Sequence, residues 1–206
     1  MGVYRSDGNH MKQSTEVLVK ELIKRMGDDP RREGLRDTPT RVVKMYKELF
    51  RGYDVEQKPS VTVFDNFKDG VACDEMIIDT GYFFSHCEHH LCPFWGQFFF
   101  GYIPSKKVLG LSKVSRIVDF YSAKLQIQER LVKEIVDELE VALSTDEVKG
   151  KINGPKAIGL VLKARHLCKE MRGVKKFGGE MTTSDLRGQF RSEPETRAEF
   201  LKLCGV

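Results

Sequence analysis

The chain has 206 residues, with 34 Lys+Arg against 30 Asp+Glu, a formal charge of +4, 31% charged and 40% hydrophobic residues. That balance fits one soluble globular domain, or one with a small appendage, and excludes disorder throughout, collagen-like repeats and a strongly acidic tail. A pI near 8.7 is too mild for the concentrated basic footprint of a nucleic-acid binder. No stretch approaches the roughly 18 apolar residues of a membrane span, and the polar N-terminus lacks a signal-peptide core. The five cysteines (Cys73, Cys87, Cys92, Cys168, Cys204) are odd in number and scattered. They read as reduced thiols or metal ligands, and the expected compartment is the cytoplasm.

Residues 1–13 are polar and uneven and read as a flexible tail. Met1, Gly2 and Ser6 match the loose myristoylation pattern, which a plain tail also explains. Residues 14–59 read as an N-terminal helical region. In its first helix Val19, Leu22, Ile23 and Met26 share a face and Gly27 ends it. A second helix starts at a cap, Asp37-Thr38-Pro39, and continues through Val42, Tyr46, Leu49 and Phe50 to Gly52. From residue 60 to 206 the period changes. Val61 and Val63, Met76–Ile78 and Gln97–Ile103 read as antiparallel strands rich in β-branched and aromatic residues. Helices follow at Ser112–Tyr121 and Ile127–Leu143; in the second, Ile127, Leu131, Ile135, Leu139 and Leu143 recur every four residues, widened by Val132 and Val136. A turn-rich stretch, Ser144–Pro155, leads to a strand at Ala157–Lys163. A last strand near Leu186–Phe190 and a helix at Pro194–Leu203 close the chain. Strands grouped apart from helices predict α+β with an antiparallel sheet.

Four of the five histidines cluster with cysteines, in Ser85-His86-Cys87-Glu88-His89-His90 and in His166-Leu167-Cys168. Cys87 and His90 have the chelating spacing C-x-x-H, and Cys168 can complete three ligands. Two thiolates and one imidazole leave an open tetrahedral position for water, as in catalytic zinc. A Zn²⁺-bound water ionises near neutral pH and becomes a nucleophile. His89 and His166 then remain to move protons. The competing readings are ordinary core Cys and His, or a closed structural zinc with Cys92, His86 or His89 as fourth ligand. Gly110–Arg116 opens a helix with Ser112 at the cap, Lys113 next and Arg116 one turn on, a phosphate-site pattern that a solvated helix face also produces. Arg172 follows Cys168 by four residues. Gln128-Glu129 opens the long helix, where a carboxylate can accept paired N–H donors or merely cap.

Cys87-Glu88-His89-His90, Gly110–Lys113 through Arg116-Ile117-Val118, Gln126–Leu131, and His166-Leu167-Cys168 through Arg172-Gly173-Val174 together resemble the GTP cyclohydrolase I family. Asp37-Thr38-Pro39 with Arg41 and Met45-Tyr46 extends the match towards Ser14. The resemblance implies a tunnelling fold: an antiparallel sheet with helices on one side, here with the N-terminal helical extension. It implies toroidal homodecamers with sites between subunits and no nucleic-acid or membrane partner. The implied reaction converts GTP and water to 7,8-dihydroneopterin triphosphate and formate, which opens folate, tetrahydrobiopterin or 7-deazaguanine biosynthesis. By resemblance Cys87, His90 and Cys168 are the Zn²⁺ ligands and His89 and His166 transfer protons. Glu129, with Gln128 beside it, holds the guanine. Ser112, Lys113, Arg116 and Arg172 meet ribose and triphosphate, and Arg41 reaches phosphate across an interface. The loop before Thr182 and the length of 144–155 depart from the pattern without touching these residues. A nitrile reductase of the same fold, a non-catalytic paralogue and a nucleic-acid-binding zinc module are weaker readings, because the paired His/Cys clusters are intact and the cations do not form a stripe.

Overall fold

The computed structural model describes residues 13–67, 72–148 and 151–205, so residues 1–12, with most of the expected tail and its Gly2/Ser6 pattern, lie outside it. The chain divides into two compact units, 1–49 and 50–206. In the first, α1 (Thr15–Arg25) ends as expected: Gly27 takes φ +95°, a left-handed conformation that glycine adopts without a Cβ clash. α2 (Thr38–Leu49) has Pro39 in its first turn, where no backbone N–H is missed. Arg41 lies on α2, exposed and 3.4 Å from Asp37 one turn earlier.

The second unit is built on a five-stranded sheet in the order β5-β2-β3-β8-β9: β2 (Ile77–Cys87), β3 (Pro93–Ile103), β5 (Leu125–Gln126), β8 (Ala157–His166) and β9 (Glu180–Gly188). All neighbours are antiparallel except β2–β5. β1 (Val63–Asp65) pairs with β4 (Lys107–Leu109) in a separate two-stranded ribbon. The stretch read as turn-rich forms a further hairpin, β6 (Thr145–Val148) and β7 (Lys151–Asn153), which pair with each other outside the main sheet.

Strand alternation sorts the main sheet. Phe83, Phe94, Phe98, Phe100, Ile158, Leu160 and Leu162 point to one face, where α3 (Lys113–Ser122) and α4 (Gln128–Leu143) cover them. The expected stripe of α4 is buried there from Leu131 to Leu143, each such side chain contributing about 1.5–3 kcal/mol relative to exposure. Ile127 falls one residue before the helix, at its N-cap. Gly96 is required in β3, since a Cβ there would run into the Lys163 carbonyl oxygen and lie 2.6 Å from the Ala164 Cα. On the opposite face α7 (Pro194–Cys204) packs Phe200 on Phe190 and Val161 at one end of the sheet. The rest of that face leaves Tyr82 and Phe84 about 70% exposed within the chain.

The closing strand differs from expectation. β9 begins at Glu180, and the residues after Gly188 turn into a short helix, α6 (Gln189–Ser192). Gly188 takes φ +60°, which breaks the extended run before Phe190. Phe190 is therefore a helical core residue instead of the end of a strand.

Candidate metal centre and active site

β2 and β8 flank β3 and run antiparallel to it, so their C-terminal ends meet at one edge of the sheet. Cys87 closes β2, His166 closes β8, and Cys168 lies in α5 (Leu167–Glu170), one turn that follows directly. Between Cys87 and Cys92 the chain folds into a tight turn: the Cys87 N–H donates to the Cys92 carbonyl and the Leu91 N–H to the Cys87 carbonyl, each at 2.8 Å. Leu91 takes φ +55°, a left-handed conformation that turns the chain back so that the Cys92 carbonyl meets the Cys87 N–H.

The Sγ atoms of Cys87 and Cys168 and a ring nitrogen of His90 all lie within 4.8 Å of one another. Cys87 Sγ to His90 Nδ1 is 3.8 Å. Metal–sulfur and metal–nitrogen bonds of about 2.3 and 2.0 Å set at tetrahedral angles put two ligands roughly 3.6 Å apart, so the three residues fit a tetrahedral ion. Cys87 is buried, Cys168 half-buried and His90 exposed, so the group opens to solvent on one side. Burial, and then the neighbouring Cys87, push the Cys168 thiol above its ordinary value. Among the described residues this is the one three-ligand group of its kind, and the proposed fourth ligands do not complete it. His86 points to the other face of the sheet and packs on Phe50, ring centroids 5.0 Å apart. His89 keeps beside the cluster, its Nδ1 3.7 Å from Cys87 Sγ.

His166 lies flat on Phe94, ring centroids 4.5 Å apart and planes within 3°. Its Nε2 is 2.8 Å from Gln128 Oε1 at the start of α4. Burial holds its pKa below the ordinary value, which Glu129 opposes and Lys169 reinforces. The ring is thus neutral at physiological pH and able to take a proton. β5 pairs with the end of β2, Cys87 opposite Gln126, and so sets the first turn of α4 beside the cluster. Glu129, in that turn, is exposed.

A sequence profile of the GTP cyclohydrolase I family matches residues 15–205. The chain belongs to the GTP cyclohydrolase I family. Proteins named GTP cyclohydrolase 1 are 45% identical in Coxiella burnetii (90% of this chain, 94% of the relative) and 42% in Leptospira biflexa (91% and 96%). One in Helicobacter pylori is 40% identical over 91% of this chain and 98% of its own length. A solved structure described as the archaeosine synthase QueF-Like in the apo form overlaps at a TM-score of 0.42 and 16% identity, covering 55% of this chain and 93% of that one. The expected α+β architecture rests on the sheet and helices described above, and enzymatic function on the family match.

The other residues expected to serve this GTP cyclohydrolase are spread over the fold. Ser112 stands at the N-cap of α3 without making a side-chain capping bond, followed by Lys113 and, exposed, Arg116. This is the end of α3 remote from the metal cluster. The far end feeds β5 beside Cys87, about 15 Å away along ten helical residues. Arg172 is exposed just beyond α5. Arg41 belongs to the N-terminal unit. One network went unread in the sequence. Arg130, on α4, pairs with the Glu88 carboxylate in the ligand turn and donates to Gln126 Oε1 at 2.9 Å, while Gln126 donates to Glu134 at 2.8 Å. Arg130 and Glu134 stand four residues apart on α4, with Gln126 four residues before Arg130 in β5, and that spacing was the available signal; the 42-residue separation of Glu88 from Arg130 hid the rest. Among the described residues no helix is long and apolar enough to cross a membrane.

Proposed function

We propose that this GTP cyclohydrolase is zinc-dependent and converts GTP and water to 7,8-dihydroneopterin triphosphate and formate, supplying folate or 7-deazaguanine synthesis in the cytoplasm. The observation that carries the reading is the Cys₂His group opening to solvent with two further imidazoles beside it. Cys87, His90 and Cys168 would hold the ion, which when bound supplies a Lewis acid that brings the ionisation of water near neutral pH.

The chain's own residues then divide the work. Glu129 accepts the N–H edge of the guanine, which sets C8, flanked by two ring nitrogens, towards the cluster. His166, neutral and held flat on Phe94, takes a proton as water adds to C8, and His89, exposed at the same edge, returns one to a ring nitrogen. The imidazole ring opens to a formamide, a second water hydrolyses that amide so that C8 departs as formate, and the later ring closure expels one water, leaving one consumed overall. The ribose chain rearranges and closes onto the freed amines to form the pterin. Ser112, Lys113, Arg116, Arg172 and Arg41 neutralise the triphosphate. Since the first three stand at the remote end of α3, a second copy of the chain would bring its own Ser112, Lys113 and Arg116 to the cluster. The exposed sheet face with Tyr82 and Phe84 supports such an assembly, a toroidal homodecamer built as tunnelling folds are.

The test is purified protein with GTP, followed for formate and for the pterin chromophore with and without a chelator. Both products appearing, and both lost on metal removal, are expected. Formate without pterin, or products that survive complete metal removal, would overturn the reading.

A further inference from the structure

Gln128 is the first residue of α4 and 1% exposed. Its side-chain nitrogen donates to the Leu162 carbonyl on β8 and to the Met181 carbonyl on β9, each at 3.0 Å. A primary amide has two N–H donors, and both are committed to acceptors that can offer nothing in return. The amide therefore cannot be reversed, and the atom facing His166 Nε2 at 2.8 Å is an oxygen. A carbonyl oxygen only accepts, so the hydrogen in that contact sits on Nε2. In the neutral ring the lone pair is then on Nδ1. Phe94, fully buried and parallel to the ring, fixes the remaining freedom of the plane.

We propose that Gln128 is a positioning residue that holds His166 as the Nε2–H tautomer and so makes Nδ1 the atom that exchanges the proton during turnover. This rests on the proposed function for the role of His166 in catalysis. It parts Gln128 from its expected place on the guanine: every polar atom of its side chain is occupied inside the protein, so purine recognition falls to Glu129. The arrangement follows the general logic of a histidine whose second nitrogen is fixed by a partner so that the first is presented in one protonation form.

Two readouts test it. The first needs no turnover: zinc-loaded protein carrying ¹⁵N-labelled histidine, with His166 assigned by loss of its signals in His166→Asn, should show a protonated Nε2 and an unprotonated Nδ1. The reverse tautomer would overturn the proposal. The second is a kinetic split with Gln128→Leu, which keeps the bulk and removes the acceptor. Turnover should fall about 100-fold, the scale of a misdirected general acid–base group, with KM for GTP within about twofold and zinc content unchanged. A raised KM with intact kcat would instead mean that Gln128 reads the substrate. If Gln128→Leu does not fold, Gln128→Glu decides. Buried in its neutral form, it offers a carbonyl to His166 and one O–H to a backbone carbonyl, and should keep turnover within about tenfold of wild type. A Gln128→Glu protein that folds, binds zinc and is as inactive as His166→Ala would count against the proposal. Wild-type protein that releases no formate would sink the proposed function, while the tautomer would remain readable by the first measurement.

Discussion

Arg187 pins the long helix to the sheet, and its removal has a calculable cost. It lies on β9, on the helix-bearing face, and its guanidinium reaches Asp185 on its own strand and Asp137 and Glu140 on α4. The Arg187 and Asp185 side chains are 22% and 23% exposed, whereas Asp137 is 47% exposed. The shielded bond to Asp185 is worth about 2 kcal/mol, within the range for hydrogen bonds to charged groups. The two bonds to α4 are more hydrated and contribute about 0.5 kcal/mol each. Arg187→Met keeps the aliphatic stem, removes the charge and leaves three carboxylates facing one another, so the expected loss is about 3 kcal/mol. Burial alone would raise the Asp137 carboxyl, but the bonds from Arg187 and Lys133 outweigh it and hold the group below its ordinary value. For an acid held down in the folded state, the stabilisation is full above the ordinary carboxylate range and is lost as pH falls through the lowered value. Urea unfolding of wild type and Arg187→Met at equal protein concentration should therefore differ by about 3 kcal/mol at pH 7, and the gap should narrow by the Asp137 share, about 0.5 kcal/mol, as pH falls below about 4. A gap under 1 kcal/mol at pH 7, or one unchanged at pH 3, would refute this assignment of the energy to charge pairing.

Cys168→Ala should lose bound metal and turnover together, whereas His166→Ala should keep the metal and lose at least about 100-fold in kcat; metal analysis beside the formate assay separates the two. Glu129→Gln replaces an acceptor by a half-donor and should cut kcat/KM for GTP by about 10-fold or more, the scale of one charged hydrogen bond, with metal content unchanged. Cys204 is buried with its thiol raised to about 11, so at pH 8 only about one part in a thousand is thiolate. Thiol reagents should label the half-buried Cys73 and Cys92 before Cys204, and reach Cys204 only on unfolding or well above pH 9, which mass spectrometry of timed alkylation will show.

How far the sequence carried the fold depends on the length of each element. α4 announced itself because six apolar residues repeat over 16 positions, long enough for a period to stand out. β4 and β5 have three and two residues, too few to show any period, and α5 is a single turn, so all three were invisible. The last strand was displaced because Leu186 and Phe190 look alike as apolar residues. Only the positive φ of Gly188, a property of the folded backbone, places one in the sheet and the other in a helix.

The site was legible where chemistry is dense in sequence. Cys87, His90 and Cys168 were readable because Cys and His are rare residues and stand here at telling intervals, and the sheet explains how a gap of 78 positions between His90 and Cys168 closes: parallel flanking strands end at the same edge. Gln128 was assigned to the substrate because it adjoins Glu129 in sequence. Adjacent helical residues point about 100° apart, so one faces solvent while the other is buried under β8 and β9. Phe94 carried no signal at all, being one aromatic among several in β3.

The distance between the two clusters gives the last prediction. Cys87 and Ser112 lie towards opposite ends of α3, so the proposed composite site draws them from different chains. Mixed oligomers settle the matter, since Cys168→Ala is defective only at the metal end and Arg116→Ala only at the phosphate end. Each variant alone should be inactive. Co-assembled at equal amounts from a denatured or co-expressed pool, a composite site takes its metal end intact half the time and its phosphate end intact half the time. About one quarter of the sites should therefore regain full function, in line with independent draws at a symmetric interface. If each site lay within one chain, every chain would carry one lesion and the mixture would stay inactive. Inactivity in oligomers shown by differential tagging to contain both variants would place the phosphate residues and the metal on the same subunit, and α3 would then span one site instead of separating the halves of two.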